Sequence, residues 1–196
     1  MVDDGLMTFQ CNAAAGSSSS RYNLRFMAEE RTKGVLESIT LSVGDLAPDF
    51  ELPALIGGVR TTFRLKEYRG KNLLLAFYPF NWQESNVQQM QGYQAQRAGI
   101  LSHNAETVAI NVESIMNTTA WEREHGPIDF PLCSDFWPHG EVCARYGVLR
   151  RAGPGTGAAE RAIFIVNREG RVVFQKTYGE HEAPVLTELF PLLERA

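Results

Sequence analysis

The stretch Leu73-Leu74-Leu75-Ala76-Phe77-Tyr78-Pro79-Phe80-Asn81-Trp82-Gln83-Glu84-Ser85-Asn86 decides the fold of this chain. Lys71 to Tyr78 contains a continuous apolar run, as expected of a strand covered on both faces. Pro79 then breaks the strand, and polar residues lead into a helix expected from about Ser85 to Leu101. Ser85 followed by Gln88 fits a capping box, in which hydroxyl and amide would satisfy the first free N–H groups of that helix.

Working outward, the packed domain is expected to begin near Leu41 and run to Ala196. Gly44-Asp45-Leu46-Ala47-Pro48-Asp49-Phe50 leads into Glu51-Leu52-Pro53, and Gly57-Gly58 reads as a hairpin turn before Val59–Phe63. Thr107–Val112 is a second buried strand, and Ile115–His125 a helix stopped by Gly126-Pro127. Phe130–Ser134 is a short extended segment, and Gly140–Tyr146 a short helix ending at Gly147. The glycine-rich stretch Arg150–Ala159 reads as a loop. It is no phosphate cradle, because no Lys-Ser/Thr follows it. Arg161–Val166 and Val172–Gln175 form a hairpin about Asn167-Arg168-Glu169-Gly170, and Pro184–Arg195 closes the chain as an apolar helix. Strands alternating with helices, then a hairpin and a final helix, imply an α/β thioredoxin-like central sheet flanked by helices.

Composition narrows the function classes. At 196 residues the chain is long enough for one domain with a substantial core. A net charge of -4 without a Lys/Arg cluster leaves no electrostatic footprint for nucleic acid. No apolar run reaches the ~20 residues a membrane span requires. Residues 1–40, with Ser17-Ser18-Ser19-Ser20, are expected to form a flexible N-terminal extension. Met27 would also serve as a start. Cys11, Cys133 and Cys143 do not form a secreted disulfide framework, so a reducing cytoplasm is the simplest compartment. His103, His125, His139 and His181 match no zinc-ligand spacing. We expect no metal and no cofactor.

Three segments carry a resemblance to the peroxiredoxins, the alkyl hydroperoxide reductase/thiol-specific antioxidant family. The first is Phe77-Tyr78-Pro79-Phe80-Asn81-Trp82, similar to the Tyr-Pro-x-Asp-Trp motif that precedes the family's cysteine. The second is Phe130-Pro131-Leu132-Cys133-Ser134-Asp135-Phe136-Trp137-Pro138-His139-Gly140 with Tyr146-Gly147-Val148, similar to one-cysteine E-type members. The third, Glu160 to Gly170, resembles the family's Arg-x-x-Phe-x-Ile-Asp-x-x-Gly segment. The family's site pattern is Pro-x-x-x-Thr/Ser-x-x-Cys, and here it is Pro79-x-x-x-Gln83-x-x-Asn86.

In that family a thiolate in the first turn of a helix attacks the peroxide O–O bond. The helix N-terminus and an arginine lower the thiol's pKa. The resemblance therefore implies that Pro79 shields the site and that Arg161 holds an oxyanion. Gln83 stands where the hydroxyl should be, and Asn86 stands where the nucleophile should be. A carboxamide nitrogen is no useful nucleophile, although it donates and accepts hydrogen bonds.

The candidate catalytic residues are thus Asn86, Arg161, Glu84 and Gln83, with Pro79, Trp82 and Phe80 lining a small-molecule site. Arg161 either binds an anionic ligand or serves structure, through backbone carbonyls or Glu84. Glu84 is either a general base or a helix-start carboxylate favoured by the dipole. Asn86 and Gln83 form either a polar pocket or a site under no functional demand. Cys133 and Cys143 form either a substitute redox pair or, as their apolar context favours, buried inert thiols. The aromatic cluster Phe136-Trp137-Pro138 is either buried core or, as the resemblance implies, near the interface of a homodimer. A repurposed non-redox enzyme, a non-catalytic binding or dimerisation paralogue, and a thiol peroxidase using Cys133 or Cys143 all stay open here.

Overall fold

The computed structural model describes residues 41–179 and 182–196. The extension expected over 1–40, including Cys11, and His181 lie outside the described residues.

Seven strands form one mixed sheet: β1 (Glu51–Ile56), β2 (Val59–Arg64), β3 (Asn72–Phe77), β4 (Ala105–Asn111), β5 (Leu132–Ser134), β6 (Arg161–Val166) and β7 (Val172–Tyr178). Their spatial order is β2-β1-β5-β4-β3-β6-β7. The central three, β5, β4 and β3, are parallel, and the strands that flank them, β1 and β6, run antiparallel to them and turn back as the hairpins β1–β2 and β6–β7. Gly57 and Gly58, at φ 53° and 75°, make the tight β1–β2 turn. Two consecutive positive φ values match the right-handed strand twist at least cost when both residues are glycine.

Every residue of β3 is buried. Its side chains alternate between two separate cores, which accounts for the unbroken apolar run. Leu73, Leu75 and Phe77 pack on one face with Val108, Ile110, Cys143 and Tyr146. Leu74, Ala76 and Tyr78 pack on the other with Met90, Tyr93, Trp121, Leu189 and Leu193. That second face carries helices α1 (Glu84–Ala95), α2 (Arg97–Ser102), α3 (Ile115–His125) and α5 (Leu186–Glu194), and α4 (Glu141–Arg145) lies with the first. This is the thioredoxin-like arrangement expected from the element order.

Two local expectations need correction. The single helix over 85–101 is two helices, α1 and α2, divided at Gln96, whose φ/ψ of -95°/5° leaves the helical basin. The Ser85/Gln88 capping box does not form. The N-cap is Gln83 and no side chain caps it. Gln88 instead donates from Nε2 to Glu84 Oε1 at 2.9 Å, one helical turn away.

Candidate functional site

The C-terminal end of β3 delivers the chain into the turn 78–83, and a buried amide fixes that turn. Asn81 Oδ1 accepts from Tyr78 Oη at 2.7 Å and from Asn111 Nδ2 at 2.8 Å. Its Nδ2 donates to Thr118 Oγ1, and its backbone N–H donates to Glu113 Oε2 at 2.6 Å. Glu113 also accepts from Asn117 Nδ2. Burial holds the Glu113 carboxyl above the usual carboxylate range, against the pull of these donors. The turn is thereby tied to the end of β4 and to α3 before α1 begins.

Asn86 lies in the first turn of α1 and is fully buried. Its amide is engaged at both ends. Nδ2 donates to Phe80 O at 2.7 Å and to Gln83 Oε1 at 3.1 Å. Oδ1 accepts from Arg161 Nη2 at 2.5 Å. Arg161 opens β6, which pairs with β3, so the sheet carries the guanidinium to α1's first turn. Its Nη2 also donates to Ser85 Oγ at 3.0 Å, and Nη1 donates to Glu182 O at 3.2 Å. Arg161 is only 3% exposed, and no carboxylate among the described residues pairs with it. Burial lowers its pKa from the ordinary guanidinium value.

A small cleft of about 40 Å³ adjoins this arrangement, lined by Pro79, Phe80, Gln83, Arg150, Arg161 and Tyr178, with Glu160 completing it. Its size corresponds to roughly three water-sized volumes. Arg150 is held bidentate by Glu160, with Nε–Oε1 at 3.0 Å and Nη2–Oε2 at 2.9 Å. The glycine-rich loop sets this pair in place. Its ends bond to each other through Arg150 N to Ala158 O and Gly157 N to Arg150 O.

The structure therefore brings together Asn86, Gln83, Arg161, Pro79 and Phe80 and turns two expected site residues away. Trp82 does not line the cleft, because its indole N–H donates to Asn117 Oδ1 at 2.6 Å and its ring rests on His125. Glu84 is exposed, reaches neither Arg161 nor Asn86, and accepts from Gln88. Ser85 enters the site in a role other than the helix cap expected of it, accepting from Arg161. Arg150, Glu160 and Tyr178 are not among the site residues expected from sequence; strand pairing and loop closure bring them to the cleft, and no spacing rule announces that.

The two internal thiols sit elsewhere. Cys133 and Cys143 are both buried and unbridged. Burial first, and then the nearby Asp135 carboxylate, push both thiols well up, away from the reactive thiolate. Asp135 accepts from the backbone N–H groups of Val142 and Cys143 at the start of α4. Among the described residues, no group of three or more His, Cys, Asp or Glu side chains could hold a metal ion. No helix among them is long and apolar enough to cross a membrane.

A family model described as the AhpC/TSA family matches residues 43–175. The chain belongs to this family, the peroxiredoxins. Among its relatives, a putative peroxiredoxin of Synechocystis sp. is 35% identical over 136 residues, covering 66% of each chain. Alkyl hydroperoxide reductase E of Mycobacterium tuberculosis is 34% identical over 135 residues, 68% of this chain and 84% of that one. Family members also share the architecture. Enterococcus faecalis AhpC superposes with a TM-score of 0.72 at 25% identity, covering 80% of this chain and 92% of its own. Mycobacterium tuberculosis AhpC gives 0.71 at 23% identity, over 79% and 92%.

Proposed function

We propose that this peroxiredoxin-family protein carries Asn86 in the place of the peroxide-attacking cysteine. Its cleft then binds a small polar or anionic ligand without thiol redox chemistry. The observation that carries this reading is the hydrogen bond from Arg161 Nη2 to Asn86 Oδ1, set in the first turn of α1. The guanidinium and helix start suited to stabilising a thiolate here hold a neutral amide.

Because the Asn86 amide spends its donors and acceptor inside the protein, the ligand meets other groups. Gln83, Tyr178 and Arg161 line the cleft together with Pro79 and Phe80. A buried arginine without a carboxylate partner favours an incoming anion, which would offset its desolvation. A space of about 40 Å³ restricts that anion to a few heavy atoms, formate or nitrite in size. Should turnover occur, Arg161 would stabilise developing negative charge. Glu84 has no part in proton transfer in this reading, since its carboxylate is exposed and held by Gln88.

A second reading, a dimerisation module, draws on the exposed aromatics. Trp137 is 81% exposed and Phe136 51%. Such rings are enriched at the cores of interfaces, and a homodimer through this loop accommodates both readings. The free thiols agree with a reducing cytoplasm.

The deciding experiment mixes the protein with hydrogen peroxide in stopped flow and maps the thiols by mass spectrometry. Cys133 and Cys143 are expected to stay reduced on the timescale of a peroxidase. Formate is expected to shift the Gln83 side-chain NMR signals in the native protein and not in Arg161→Met. Rapid sulfenylation of either thiol would overturn the proposal.

A further inference from the structure

Two arginines line the cleft, yet they bring one uncompensated charge to it. Arg161 is buried and meets neutral partners, the Asn86 amide, the Ser85 hydroxyl and the Glu182 carbonyl. The Glu182 carboxylate turns away to Lys176 Nζ at 3.0 Å. Arg150 is held by Glu160 through two parallel N–H···O bonds, and Glu160 lines the same cleft. Among the described residues no other wall of the cleft is charged at neutral pH. Pro79, Phe80 and Gln83 are neutral, and burial pushes the Tyr178 phenol up from its ordinary value.

The neutralised pair is built into the loop that carries it. Arg150 Nη1 donates to Pro154 O at 2.8 Å, and Glu160 N donates to Val148 O at 2.7 Å. Gly155 lets the loop close on the guanidinium. It has φ 74°, and a Cβ there would lie 2.8 Å from Arg150 Nη1. A site for a dianion would gain from leaving both guanidiniums uncompensated. Here a dianion would bring an excess negative charge beside the Glu160 carboxylate, in a partly desolvated space. An uncharged ligand would leave the charge of Arg161 unmatched.

We propose that the Arg150–Glu160 pair sets the charge selectivity of the cleft, with Glu160 as its specificity-determining residue. The site takes a monoanion and rejects a dianion of the same framework. This assignment rests on the anion-binding reading of the cleft and narrows it to one charge class.

Sulfite is the probe, because its second ionisation changes its charge from one to two on an unchanged set of heavy atoms. It is titrated into the full chain on either side of that ionisation and followed through the Gln83 side-chain NMR signals. Formate, whose charge stays at one over the same range, is the control. Sulfite affinity is expected to fall about tenfold for each pH unit above the ionisation, and formate affinity to stay level. Glu160→Gln keeps an acceptor for Arg150 and removes the charge. It is expected to lessen the loss of dianion affinity about tenfold with formate binding retained. Were Glu160 only a prop for Arg150, both anions would weaken alike, and the assignment would fail. Arg150→Met leaves Glu160 uncompensated and is expected to weaken formate at least about tenfold. Sulfite bound equally in both charge states, sulfite bound in neither while formate binds, or an unchanged pH dependence in Glu160→Gln would overturn the charge assignment and leave the proposed function standing. Absence of formate binding to the native protein would strike the proposed function, and this assignment with it.

Discussion

Replacing Asn86 with alanine removes one acceptor and two donors from a fully buried position. The bond from the Arg161 guanidinium is charge-assisted and would be worth about 1.5–3 kcal/mol, and each neutral bond from Nδ2 about 1 kcal/mol. These terms do not simply add. Ser85 Oγ still accepts from Arg161 Nη2, and the adjoining cleft lets water reach the freed groups. A net destabilisation of about 3 kcal/mol is therefore expected, which lowers the melting temperature of a chain this size by about 6–12 °C. Urea denaturation should show a lower midpoint with an unchanged slope. A double-mutant cycle with Arg161→Met isolates the contact, and a coupling energy of about 1.5 kcal/mol or more is expected. Coupling below about 0.5 kcal/mol would refute the claim that this amide is what holds the guanidinium.

Other outcomes follow from the same geometry. Asn86→Cys puts a thiol in α1's first turn beside Arg161. Its pKa should fall below the free-thiol value of about 8.5. Attack on hydrogen peroxide should then yield a sulfenic acid and water, trapped by dimedone; no gain over the parent would mean that the cleft no longer admits peroxide. Glu113 has its folded pKa raised by burial, so its stabilising contribution is full below the unfolded value near 4.5 and is lost as pH rises through the folded value. Urea midpoints measured upward from about pH 4 should fall relative to those of Glu113→Gln; parallel curves would contradict this sign. Gly140 has φ 66°, and a Cβ there would lie 2.5 Å from Leu149 Cδ1. Gly140→Ala should cost about 1–3 kcal/mol in the same denaturation assay.

The strands were legible because both period and composition report burial. Leu73 to Phe77 had to be covered on both faces, and two cores cover it. Helix ends were less legible. Ser85 looked like a cap, yet its hydroxyl accepts from an arginine that lies 76 positions away in sequence. Local pattern cannot foresee a partner delivered by a distant strand. The site was readable along the chain from Pro79 to Asn86, where one turn holds the residues together. Arg150, Glu160 and Tyr178 escaped, since loop closure and the β6–β7 pairing bring them there. Trp82 was misplaced because an aromatic beside a cleft and one seated on a neighbouring helix look alike in sequence.

The Asn81 hub lies clear of the ligand cleft. It fastens the turn through Tyr78, Asn111, Glu113 and Thr118, none of which lines the cleft. Positions 83 to 86 can therefore be exchanged while their mounting stays fixed, much as a tool bit is changed in a chuck. A substitution among them leaves each of those bonds in place.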